Sequence, residues 1–229
     1  MVLHPKIAQR CAEILFEIDA IHFKAKNPFK LTSGWASPVY IDCRKIISFP
    51  KQRDEIMAFA VDILTQNNIV DKMDLVAGGE TAGIPYGAWL ADRTEKPMLY
   101  VRKKPKGFGR MAQIEGAMAG QGENVLLVED LTTDGASKIK FCNVLREAGA
   151  NVTDVFSVFF YNIFAQSEAL FKDAGLTLHY LTDWPSVLAV AREKKQFDQT
   201  VLDEVGNFID NPALWSEKNG GVSIVSTSS

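Results

Sequence analysis

Residues 125–137, VLLVEDLTTDGAS, constrain the fold more tightly than any other stretch of this chain. The run 125–128 is apolar at every position, as in a strand buried on both faces of a sheet. Two adjacent carboxylates, Glu129 and Asp130, follow where such a strand is expected to end and emerge. After Leu131-Thr132-Thr133-Asp134-Gly135-Ala136-Ser137, the apolar residues Ile139, Cys142, Val144 and Leu145 start a helix expected near 136–148 and ended by Gly149. Strand, polar loop and helix in that order form one unit of a parallel α/β sheet, whose ligands sit beyond the carboxyl ends of the strands.

The same unit recurs along the chain. A strand at 75–77 runs into Gly78-Gly79 and a helix near 83–92, and a strand at 98–101 precedes a long polar stretch. A strand at 155–160, a helix near 164–174 and a strand at 176–181 complete the pattern. Upstream, Ile7, Cys11, Ile14, Leu15 and Ile18 form one stripe of a helix near 5–20, and Pro50 opens another. Between them lie a turn-rich section and a strand-like run at 39–42. Downstream, Asp183-Trp184-Pro185 reads as a helix start, with one or two amphipathic helices to about residue 209. The expected fold class is α/β, a mainly parallel sheet flanked by helices. The simplest organisation is one domain over residues 1–229: an N-terminal hood-like segment 1–50, the α/β core 51–182, C-terminal helices 183–218 and a small, polar, disordered tail 219–229.

The chemistry follows from the order of residues in the leading segment. Hydroxyls and backbone N–H groups converging at a helix N-terminus make an anion site, and Gly135 permits a close approach. Glu129 and Asp130 would repel that anion, so they need a partner that donates hydrogen bonds, and a sugar diol does so. Phosphate and diol together describe a ribose 5-phosphate. The rival nucleotide signatures, GxxxxGK[ST] and a GxGxxG joining strand to helix, do not occur. Gly78-Gly79-Glu80-Thr81-Ala82-Gly83 could wrap a pyrophosphate with backbone N–H groups, or be a plain tight turn.

Between Val101 and Val125 stand Arg102, Lys103, Lys104, Lys106 and Arg110 among glycines 107, 109, 116, 120 and 122. A connection this long is more often functional or disordered than structural. Cations on a hinge-rich strip suit closure over a polyanion.

Composition excludes other classes. A formal charge of −3 opposes a general nucleic-acid footprint. No apolar run is long enough to span a bilayer, and no signal peptide is visible, so no membrane partner and a cytoplasmic location are expected. The three cysteines, Cys11, Cys43 and Cys142, share no metal-ligand spacing and read as packing residues of a reduced compartment. His4, His22 and His179 are scattered and read as structural. Phe156, Phe159, Phe160, Tyr161 and Phe164 read as core or subunit interface.

The 125–137 segment resembles the phosphoribosyl diphosphate (PRPP) motif of the type I phosphoribosyltransferases. Phe29-Lys30-Leu31-Thr32-Ser33-Gly34 with Ser37-Pro38-Val39-Tyr40-Ile41-Asp42 resembles the N-terminal substrate block of the orotate phosphoribosyltransferases. Val101-Arg102-Lys103-Lys104-Pro105-Lys106-Gly107 is similar to that family's mobile loop, and the blocks occur in family order from about 29 to 160.

The resemblance implies transfer of a phosphoribosyl group from PRPP to orotate, with Mg²⁺ arriving on the substrate, few protein ligands to the metal, and a homodimer sharing its loop across the interface. It assigns PRPP contacts to Arg102, Lys103 and Lys106, with Glu129 and Asp130 on the ribose diol. Leu131 is a further PRPP contact, and Thr132, Thr133, Asp134, Gly135, Ala136 and Ser137 cradle the 5-phosphate. Lys106, Glu129 and Asp130 carry the chemistry; Thr133, Lys30 and Tyr40 meet orotate. Thr32, Phe108, Tyr161 and Thr81-Ala82 depart from residues common in the family, so Lys30 or a main-chain nest at 32–37 is the expected receptor for the orotate carboxylate. The length leaves no room for a fused decarboxylase. A phosphoribosyltransferase for another base and a PRPP-binding regulator of the same fold remain alternatives.

Overall fold

The computed structural model describes residues 3–31, 34–107, 113–195 and 197–223. Helix α1 (Pro5–Glu17) opens with proline at its first turn, followed by β1 (Ile21–Phe23), β2 (Phe29–Lys30), β3 (Ala36–Ser37) and β4 (Val39–Ile41). A 3-10 turn at Cys43–Ser48 leads to α2 (Pro50–Gln66), α3 (Ile69–Lys72), β5 (Leu75–Gly79) and α4 (Gly83–Thr94). Then come β6 (Met98–Val101), β7 (Ile114–Glu115), β8 (Asn124–Thr132), α5 (Ala136–Glu147), β9 (Asn151–Phe160), α6 (Gln166–Asp173) and β10 (Thr177–Asp183). Helices α7 (Trp184–Lys194), α8 (Gln199–Asp210) and α9 (Pro212–Lys218) complete the order.

The main sheet runs β10-β9-β8-β5-β6-β7, parallel throughout except for the short edge strand β7. Its strands alternate between two apolar layers. Leu126, Val128 and Val76 face the layer that packs α1, α2, α4 and α7, whereas Val125, Leu127, Leu75 and Ala77 face the layer under α5 and α6. This two-sided burial explains the apolar runs seen in the sequence. A buried side chain such as Leu15 contributes about 1.5–3 kcal/mol. The half-buried Arg10–Glu55 pair that ties α1 to α2 contributes only about 1 kcal/mol, so apolar burial decides where α1 sits.

Several expectations are corrected. The strand read at 125–128 continues through the acids to Thr132, because Glu129, Leu131 and Thr132 still pair with Ser157, Phe159 and Phe160 of β9. Glu129 and Asp130 are therefore buried, not emerging. Gly78 and Gly79 belong to β5, β9 begins at Asn151, and α6 begins at Gln166. Helix α9, started by Pro212 and capped by Asn211, whose side chain accepts from Leu214 N–H, lies beyond the amphipathic stretch read to about 209 and inside the 183–218 span expected for C-terminal helices.

That last helix has a structural task. Ser216 Oγ accepts the Ala36 N–H at 3.0 Å and donates to the Val222 carbonyl at 2.6 Å. Val222 N–H donates to the Gly34 carbonyl at 3.1 Å. Residues 219–223, expected to fray, thus strap the β2–β3 hairpin to the C-terminal helices; residues 224–229 lie outside the described residues.

Candidate active site

Segments from across the chain meet beyond the carboxyl ends of β5, β6 and β8, around a cavity of about 760 Å³. Its acidic floor comes from β8. Glu129 is 5% and Asp130 9% exposed, an expensive position for paired carboxylates. Gly79 on the neighbouring strand makes the position sterically possible, because a Cβ there would fall on Glu129 Oε1 and press on Phe141. Burial pushes Glu129 up to about 7; Lys138 opposes the rise, Asp130 adds to it and Lys103 opposes it. Asp130 is raised by the same burial, against Lys138 and Arg44.

The turn into α5 forms the adjoining wall. Gly135 has φ +99° with Phe171 packed where a Cβ would go, so only glycine fits. Its carbonyl accepts from the N–H groups of Lys138 and Ile139, and Asp134 Oδ1 accepts from Ala136 N–H at 3.1 Å. This tight start places Thr133 and Ser137 in the cavity wall at a helix N-terminus.

The N-terminal block supplies the opposite side. The Ser37 hydroxyl donates to the Val39 carbonyl and accepts the Val39 N–H, bending the chain at Pro38. Asp42 then caps the 3-10 turn through the Arg44 N–H, and the Tyr86 hydroxyl donates to the Cys43 carbonyl at 2.7 Å. Leu31, Tyr40, Asp42 and Arg44 all line the cavity as a result.

Of the residues singled out in the sequence, Tyr40, Lys103, Glu129, Asp130, Leu131, Thr133 and Ser137 line the cavity. Asp134, Gly135 and Ala136 shape the turn. Thr132 does not present its side chain: it is fully buried, and its hydroxyl shares a 2.6 Å hydrogen bond with Ser157 inside the sheet. Arg102 leans on Glu115 at 3.4 Å, while Lys103 N–H donates to Glu80 Oε2 at 2.7 Å. Lys106 is exposed on the loop, and Lys30 is exposed on β2; neither lines the cavity. Thr32, Ser33, Phe108, Gly109 and Arg110 lie outside the described residues. Tyr161 lines the cavity with its ring stacked on Phe164 and edge-on to Trp184. Cys11, Cys43 and Cys142 are free and buried, and burial raises each thiol. His179 is paired to Asp154 at 2.7 Å, away from the cavity.

Sequence reasoning missed Arg44 and Lys138, and read Glu80 only for the main chain of its turn; all three line the cavity. Arg44 gave no periodic signal. Lys138 did give one, since a cation in the first turn of a helix runs against the helix dipole.

No family model matches the chain. Curated relatives do. The orotate phosphoribosyltransferase of Allorhizobium ampelinum is 52% identical over 217 residues, 95% of this chain and 94% of its own. That of Sinorhizobium fredii is 51% identical over 216 residues, 94% and 93% of the two chains. This chain belongs to the orotate phosphoribosyltransferase family. Among solved structures, the orotate phosphoribosyltransferase of Aeropyrum pernix superposes with a TM-score of 0.68 at 27% identity, covering 82% of this chain and 99% of that one. The resemblance carried by the sequence blocks is borne out, and with it the α/β fold class.

Proposed function

We infer that this chain transfers the phosphoribosyl group of PRPP to orotate, giving orotidine 5′-monophosphate and pyrophosphate, a step of pyrimidine nucleotide synthesis. One observation carries the site assignment. A single cavity joins the paired acids of β8, the N-terminus of α5 and the Leu31–Arg44 side of the N-terminal block. Glu129 and Asp130 accept hydrogen bonds from the ribose 2- and 3-hydroxyls, while Thr133, Ser137 and the main chain of 133–137 hold the 5-phosphate. Lys103 faces the diphosphate, with Arg102 and Lys106 joining it as the loop closes and excludes water. Breaking the bond at the anomeric carbon leaves positive charge on the ribose and negative charge on pyrophosphate. The buried acids stabilise the first and the lysines the second.

Mg²⁺ fits as part of the substrate. Its ligands are assigned to PRPP oxygens, as the family resemblance implies. Bound there, it would supply positive charge to offset that of the leaving pyrophosphate. We further place the protein in the cytoplasm as a homodimer whose 102–124 loop reaches the partner's site; no described helix is long and apolar enough to cross a membrane. Pyrophosphate release is expected with orotate, PRPP and Mg²⁺, and is expected to stop on chelation and return on adding Mg²⁺. Release with uracil or a purine but not with orotate would replace the orotate assignment, and the absence of release with any base would favour a PRPP-binding regulator.

Tyr40 and Thr133 are assigned to orotate. Its carboxylate is assigned to Arg44, the cation of the N-terminal block that does line the cavity, in place of Lys30. Arg44→Ala is expected to raise the orotate KM about tenfold, the loss of about 1.4 kcal/mol of binding, with little change in KM for PRPP. Lys30→Ala should leave both constants near wild type. The reverse pattern would return the carboxylate to Lys30.

A further inference from the structure

The first turn of α5 breaks a local rule. A helix N-terminus disfavours cations, yet Lys138 stands there with only 8% exposure. Its ammonium nitrogen lies 3.7 Å from Glu129 Oε2 and 3.3 Å from Ser137 Oγ. A buried ammonium is stable only where a charge or dipole compensates it. The turn Gly79-Glu80-Thr81-Ala82-Gly83 beside Glu129 contains no cation of its own. Lys103, the other lysine acting on Glu129, is exposed at the cavity mouth. Lys138 therefore supplies the buried positive charge where acid floor and phosphate wall meet.

We propose that Lys138 is a positioning residue for phosphoribosyl transfer: its ammonium keeps the Glu129 carboxylate charged and aimed at the ribose diol. The proposal rests on reading Glu129 as a diol acceptor. Glu129 faces Lys138 from α5, Asp130 from its own strand and Lys103 from the segment after β6, while β5 presents uncharged Gly79. Removing Lys138 removes an influence that favours the charged carboxylate, so Glu129 protonates at higher pH than the value near 7 it has in the intact protein. The acid limb of kcat/KM must then move upward.

The test is kcat/KM for PRPP from about pH 5.5 to 9 in wild type, Lys138→Met and Lys138→Arg. The Met variant is expected to shift the acid limb upward by about one unit, a loss of about fivefold at pH 7 that grows to about tenfold toward the acid end, and to recover toward wild type at the alkaline end. The Arg variant is expected to restore the limb. If Lys138→Met folds poorly by circular dichroism, Lys138→Gln is measured in its place. A limb that stays put, an equal loss at every pH, or failure of Arg to restore it overturns the proposal. Wild-type activity with a base other than orotate would overturn the orotate reading alone, because the same profile is then taken with that base.

Discussion

Asp130→Asn is expected to lower kcat by about 10²-fold, the scale on which removing one preorganised electrostatic group slows an enzyme. Asparagine keeps the shape and one acceptor oxygen, so the ribose hydroxyls still find a partner. What disappears is the negative charge beside the anomeric carbon as it becomes cationic. In a buried site that charge acts at low effective dielectric, which makes it worth more in the transition state than in the ground state. Binding of orotidine 5′-monophosphate should weaken by only about 1 kcal/mol, one charged hydrogen bond exchanged for a neutral one. Stability should move the other way. The Asp130 carboxyl is raised by burial above its ordinary 3.8, so the folded state holds its proton more tightly than the unfolded state. Stability from this group falls as pH climbs from that ordinary value through the raised one. At neutral pH the uncharged asparagine escapes this cost, and the variant is expected to melt at or above the wild-type temperature. Steady-state kinetics, calorimetry of nucleotide binding and thermal melting read the three effects separately. Wild-type turnover would remove Asp130 from the mechanism, and a lower melting temperature would make its role structural.

The opposite signs of those effects explain what the sequence could and could not reveal. Apolar runs such as 125–128 and 155–160 were readable as buried strands because Val, Leu and Phe have one favourable place in a parallel sheet. Glu129 and Asp130 were readable as residues of the candidate site but not as buried. A charged residue normally marks the end of a strand, and only pairing with Ser157 and Phe159 carries β8 past them. Thr132 followed from the same error: with the strand extended, its hydroxyl turns inward to Ser157 and away from the cavity. The base side of the site was less accessible. Whether Lys30 or Arg44 reaches the cavity depends on how the β2–β3 hairpin is seated, and Ser216, distant in sequence, helps to seat it. Lys138 was hidden by a sound default, since a lysine on an amphipathic helix is usually solvated. Its position against the helix dipole was the available clue. Where a local rule is broken without local compensation, the reason tends to lie in the site.

Glycines in the β5–α4 turn allow that distinction between site and scaffold to be tested at neighbouring positions. At Gly79 an added methyl meets the carboxylate end of Glu129 and the edge of Phe141. Side-chain ends can yield, so the backbone stays and the carboxylate is displaced. At Gly83 the methyl meets the Val128 carbonyl and the Glu129 Cα, both part of the β8 backbone against which α4 packs. Backbone in a central strand cannot yield without opening the sheet. Gly83→Ala is therefore expected to destabilise by about 1–3 kcal/mol or more, as overpacked cores do, lowering the melting temperature by about 2–4 °C per kcal/mol. Gly79→Ala should lose less stability and far more activity. Misplacing a reacting group by about 1 Å costs on the order of 10²-fold in rate, and a displaced Glu129 would leave the position proposed for it at the diol. Melting curves and kcat for the two variants, compared side by side, decide the matter. A Gly79→Ala enzyme with wild-type turnover would mean that Glu129 does not need its present position. A greater loss of stability at Gly79 than at Gly83 would mean that the carboxylate, too, is part of the scaffold.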